Sequence, residues 1–130
     1  SVTSYSELSR DARNLERQQW QRLSAEPANA HVQQLLAGDA PVIAASDYVR
    51  AVPQQIAQYL EAPFYTLGTD GFGRSDNRAR LRAFFEVDAE AIVRTALFAL
   101  VRQGVLTEQA VQAQSSSLTD APGSAAPWSV

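Results

Sequence analysis

The residues with the clearest chemical potential lie between Gly68 and Asp76, the densest glycine segment of the chain. Gly68 to Ser75 spells G-x-x-x-x-G-R-S, a phosphate-loop pattern with arginine in the lysine position, set between an expected strand and an expected helix. Arginine is planar and wider than the ammonium such a loop receives. Asp70 would put a negative charge where phosphate lies. The segment therefore reads as one of two things. It is an anion site at a helix start helped by Arg74, or a tight strand-to-helix turn whose glycines take positive φ, expected at Gly71 or Gly73. Asp70, Gly71, Phe72, Gly73, Arg74, Ser75, Asp76 and Arg78 are accordingly the candidate turn or interface residues.

Other groups are sparse. Arg74, Arg78, Arg80 and Arg82 outnumber Asp76, so a basic stripe either meets an acidic partner or is a solvated helix face with Arg82 reaching Glu86 at i+4. The single histidine, His31, has no nucleophile near it in sequence. Asp47 and Tyr48 follow an expected strand, where ligands gather in open α/β sheets, yet a helix cap is the reading preferred for Asp47. Trp20 and Trp128 are expected to pack. With no cysteine and no lysine, thiolate zinc sites, disulfides and Schiff-base chemistry are excluded. A net charge of -3 and pI ≈ 5.0 argue against a general nucleic-acid binder. No apolar run reaches the length of a membrane span.

The elements that must position these residues follow from periodicity. Val2–Tyr5 reads as a strand end, with Ser6 capping a helix over Glu7–Ser24 that Asn14 could divide. A short helix over Ala30–Ala37 stops at Gly38. Val42–Ala45, in a continuous apolar run, and Phe64–Leu67 are expected as buried parallel strands. Between them, Ser46 or Asp47 is expected to cap a helix reaching Leu60, kinked at Pro53 or starting near Val52. A helix follows from Asp76 or Asn77 to Phe85. Asp88 caps Ala89–Gln103, whose apolar stripe is Ala89, Ile92, Val93, Ala96, Leu97, Leu100 and Val101, closed by Gly104. Thr107 caps a last helix through Gln114. Residues 1–114 form the domain, and 115–130 are a tail, flexible or docked through Trp128. The alternation predicts an α/β fold, a three-layer α/β/α arrangement with a mostly parallel sheet.

Leu67–Asp76, LGTDGFGRSD, followed by an arginine-rich helix and Phe84–Asp88, FFEVD, closely resembles the C-terminal domain of the homodimeric, thiamine-diphosphate-dependent pyruvate dehydrogenases. SVTSYSEL, Arg10–Ala12, Glu16–Trp20 and Pro41–Arg50 resemble the same domain, and the likeness runs in order over Ser1–Gly104. More loosely, the chain is similar to the C-terminal domain of transketolases, a Rossmann-like fold. The resemblance implies a cytoplasmic parent enzyme at the step from glycolysis to acetyl-CoA. That parent decarboxylates pyruvate on thiamine diphosphate and Mg²⁺ and passes the acetyl group to the lipoyl acetyltransferase component. It implies as partners the remaining domains of the parent chain and a homodimer mate, with no nucleic acid and no membrane. The family's cofactor ligands and catalytic histidines belong to earlier domains, so no catalytic, cofactor-binding or metal residue is carried over. This chain is expected to be an inactive piece of the longer enzyme, truncated before Ser1, serving dimer assembly and the active-site rim. The missing strand would leave a gap beside Val2–Tyr5, closed by pairing with Val42–Ala45 or filled by a partner. The competing reading is a free-standing anion-binding or protein-interaction module using the glycine turn.

Overall fold

A computed structural model describes residues 1–115 and 126–129. The elements are α1 (Tyr5–Arg22), α2 (His31–Leu35), β1 (Val42–Ala45), α3 (Ala51–Gln54), a 3₁₀ turn (Ala57–Tyr59), β2 (Phe64–Leu67), α4 (Arg78–Phe84), α5 (Ala89–Arg102), α6 (Glu108–Ser115) and a second 3₁₀ turn (Pro127–Ser129). β1 and β2 form a two-stranded sheet. Val42 N–H donates to the Pro63 carbonyl and Ser46 N–H to that of Leu67. The offset is the same at both ends (63 − 42 = 67 − 46 = 21), so the strands run parallel. The fold is α/β, as the alternation of elements predicts.

The chain divides into two compact units, Ser1–Val42 with Ala51–Phe64, and Ile43–Arg50 with the residues from Tyr65 onward. In the first, Ala12, Ala30, Val32 and Ile56 form a buried core packed by Tyr5, Leu8 and Leu15. These positions overturn the expected strand at Val2–Tyr5. Tyr5, Leu8, Ala12 and Leu15 share one face of α1, so the aromatic residue is the first member of a helical stripe. Ser4, not Ser6, is the cap: its Oγ accepts from Glu7 N–H at 3.2 Å. Val2 is left exposed and unpaired with β1. Asn14 does not divide α1, which ends with Leu23 in the left-handed region at φ 50°. Trp20 is 64% exposed and does not join the core.

α3 starts at Ala51, within one residue of the later start that Pro53 allows. This places the proline in the first turn, where its missing N–H costs nothing. The segment before it is not helical. Ser46 Oγ accepts from Tyr48 N–H at 3.1 Å as a local turn rather than a helix cap.

In the second unit Asn77 caps α4, its side chain accepting from Arg80 N–H at 3.0 Å. Asp88 caps α5, accepting from Ala91 N–H at 2.9 Å. Glu90 and Arg94 pair at 2.7 Å, as their spacing predicts. The expected apolar stripe of α5 is only partly covered. Of its members Ala96, Leu97, Leu100 and Val101 are half-buried, while Ala89, Ile92 and Val93 are exposed. The fully buried Ala99 and the exposed Phe98 lie outside that stripe. Tyr65 of β2 meets Phe98 edge-on with centroids 6.0 Å apart. Gly104 closes the helix at φ 74°, and Thr107 Oγ1 caps α6 by accepting from Ala110 N–H. Of the expected tail, residues 116–125 and 130 lie outside the described residues.

Candidate functional site: the glycine turn

β2 delivers the chain to Gly68, where a Cβ would lie 2.6 Å from the Tyr48 carbonyl oxygen and 2.7 Å from Arg50 N. Only glycine permits this approach between the segments that follow β1 and β2. The two are then laced together. Thr69 N–H donates to the Tyr48 carbonyl at 3.0 Å, and Thr69 Oγ1 to the Asp47 carbonyl at 2.9 Å. Asp70 Oδ1 accepts from Arg50 N–H at 3.2 Å, and its Oδ2 takes the Arg50 Nε–H.

Asp70 is thus a fixed hydrogen-bonding strut. The Arg50 guanidinium also stands over the Trp128 ring, 4.3 Å from the centroid, a cation–π stack. Gly71 follows at φ +113°, and a Cβ there would meet the Pro127 carbonyl oxygen at 2.6 Å. The expected positive φ is therefore found at Gly71 and not at Gly73, which has nothing within 4 Å of its Cβ position. Phe72 is 81% exposed, and Ser75 is exposed as well.

The phosphate-loop pattern does not become a phosphate loop. Arg74 and Ser75 precede α4 rather than opening it, and the Arg74 guanidinium lies over the Phe84 ring at 4.0 Å. Asp76 accepts from Asn77 N–H at 2.7 Å and faces Arg80 at 3.9 Å. Arg82 does not reach Glu86. That residue lies beyond the helix at φ 55°, and Arg82 meets Asp47 at 3.8 Å instead. Asp47 is therefore a pairing group, and no acid/base partner joins it from Tyr48, which is 71% exposed. His31 opens α2 with its N–H on Asp11 Oδ2 at 2.9 Å, and its ring is exposed.

The grouping of Arg50 with Asp70 and Trp128 is not evident in local sequence. The three are twenty and fifty-eight residues apart (70 − 50, 128 − 70), and nothing in helical or strand spacing links them. Arg50 closes the segment PVIAASDYVR, but nothing in its local spacing points to Asp70 or Trp128.

Beside the turn lies a cleft of about 470 Å³. Arg74, Arg78 and Arg82 stand on its walls with Asp47 and Asp76. Leu81, Phe85 and Val87 supply its apolar surface. Among the described residues no group of three or more His, Cys, Asp or Glu side chains could hold a metal ion. No helix of the described residues is long and apolar enough to cross a membrane.

A parallel α/β sheet whose second strand runs into a glycine-laced turn and a capped helix defines a class. The chain belongs to the transketolase-like TK C-terminal domain family, which matches residues 1–88. It is similar to the pyruvate dehydrogenase E1 component of Pseudomonas aeruginosa, 44% identical over 115 residues, covering 85% of this chain and 13% of that protein. It is similar also to the pyruvate dehydrogenase E1 components of Mycolicibacterium smegmatis, 42% identical over 117 residues, and Escherichia coli, 41% identical over 112 residues. These matches cover 89% and 85% of this chain but 12% of each relative. The chain thus spans about an eighth of the length of the curated relatives it matches.

Proposed function

We propose that this chain serves as the C-terminal domain of a homodimeric pyruvate dehydrogenase, supporting assembly and the rim of the active site rather than the chemistry. The observation that carries this reading is the 44% identity over 115 residues to an E1 component, which runs through a glycine turn held by Arg50, Asp70 and Pro127. The parent reaction would be decarboxylation of pyruvate, with transfer of the acetyl unit to the lipoyl group of an acetyltransferase component. The parent's location would be cytoplasmic.

Thiamine diphosphate and Mg²⁺ would supply the carbanion chemistry of that parent. Among the described residues, those of the glycine turn do not fit them. A diphosphate–metal site needs convergent carboxylate or carbonyl ligands, and the carboxylate of the glycine turn, Asp70, is already engaged by Arg50. No step through the cofactor is therefore assigned to these residues. What the chain supplies is shape. Gly68 and Gly71 allow backbone contacts that a side chain would block, and these fix the loop that bears the exposed Phe72.

The test separates assembly from chemistry. The chain, and the Pseudomonas relative cut before its matching segment, are each assayed with pyruvate, Mg²⁺, thiamine diphosphate and an artificial electron acceptor. Neither is expected to turn over alone. Turnover by this chain alone would overturn the reading.

A further inference from the structure

We propose that the cleft beside the glycine turn binds small organic anions, a carboxylate or phosphate ester carried on a compact apolar group. This goes beyond the assembly role and does not depend on it. The charges on the cleft wall are unevenly spent. Asp47 is met by Arg82, and Asp76 by Arg80 and the Asn77 N–H. Both carboxylates thus have partners. Arg74 rests on an aromatic face with no carboxylate beside it, and Arg78 has no side-chain partner among the described residues. Among the described residues, then, two guanidinium groups on one cleft have no carboxylate partner.

Guanidinium is the side chain best suited to a carboxylate or phosphate, which it grips through paired N–H donors. Beside these cations lie Leu81, Phe85 and Val87, of which Val87 is buried. Apolar walls with a few fixed polar groups, at about 470 Å³, are the dimensions and chemistry of a small-molecule site. Asp47 and Asp76 on the same walls set the charge limit. They repel extended polyanions, so one anionic group with an apolar body fits better than a nucleic acid.

Titration of the 130-residue chain with phenyl phosphate, benzoate, inorganic phosphate and benzyl alcohol at low salt, read on the arginine Nε–Hε resonances, tests this. Phenyl phosphate or benzoate should move the Arg74 and Arg78 signals saturably, and benzyl alcohol should not. The tighter of the two names the anionic group. Arg78→Gln should weaken binding about tenfold, the loss of a charge-assisted contact. Arg13→Gln, on exposed α1, should leave it unchanged. Should Arg78→Gln unfold, Arg74→Gln carries the same expectation. No saturable shift, or equal losses in the Arg13 and Arg78 variants, would overturn the proposal. So would inorganic phosphate binding as tightly as phenyl phosphate, which would mean an adventitious ion only.

Discussion

Gly71 and Pro127 stand so close that a single methyl group cannot fit between them: a Cβ on Gly71 would lie 2.6 Å from the Pro127 carbonyl oxygen. The same glycine has φ +113°, a conformation L side chains rarely adopt. Gly71→Ala therefore meets two obstacles at once. It should destabilise the chain by about 1–3 kcal/mol in urea unfolding. Gly73→Ala has neither obstacle and should stay within about 0.5 kcal/mol of the parent. Equal effects from the two substitutions would contradict the placement of Pro127 against the turn.

Arg50 ties Asp70 to Trp128 through one ion pair and one ring stack. Arg50→Gln removes both and leaves Asp70 partly buried without its counter-charge. The expected cost is about 1–3 kcal/mol, the range for leaving a buried hydrogen-bonding group without its partner. The readout is Trp128 fluorescence in a Trp20→Phe background, which should shift when the guanidinium leaves the ring. An unchanged spectrum would show that the stack is not formed in solution.

Asp88 holds the first turn of α5 through the Ala91 N–H. Asp88→Ala should cost about 0.5–2 kcal/mol, and Asp88→Asn, which keeps the acceptor, should recover most of it. Equal losses from Ala and Asn would show that the Asp88 side chain does not act as the cap.

Burial raises the Tyr5 hydroxyl above the ordinary tyrosine range. The neutral form is the one the fold favours, so its contribution is fully present below the unfolded value, roughly 10. It is lost as pH rises through the higher folded value. Stability should fall on the alkaline side of that window, and Tyr5→Phe should make the fall shallower. An identical alkaline profile in the Phe variant would place the loss elsewhere.

Local chemistry in the sequence specified much of this fold. The segments Val42–Ala45 and Phe64–Leu67 became paired parallel strands, yet they are half-buried rather than buried: of the eight residues Ala44 is buried and Ala45 exposed. Asp88, Gly104 and the Glu90–Arg94 pair act where their spacing places them. Val2–Tyr5 misleads because β-branched composition is a weaker signal than the stripe Tyr5, Leu8, Ala12 and Leu15 that begins inside it. Ile92 and Val93 fit a helical stripe, yet periodicity cannot say which face meets protein, and the structure leaves both exposed. At the glycine turn, a positive φ at Gly71 or Gly73 was legible in local sequence, but not that it would fall on Gly71. The partners of Asp70 and Arg82 did not, since Arg50 and Asp47 arrive only through the pairing of β1 with β2.

The most direct measurement is a chimaera in which this chain replaces the matching segment of the Pseudomonas aeruginosa pyruvate dehydrogenase E1 component. Pyruvate-dependent reduction of an artificial acceptor and dimer formation are then followed together. The expected result is a dimer that turns over pyruvate, with Gly71→Val in the transplanted segment lowering dimer content and activity in parallel. A soluble, folded chimaera that fails to dimerise or turn over would contradict the proposed role.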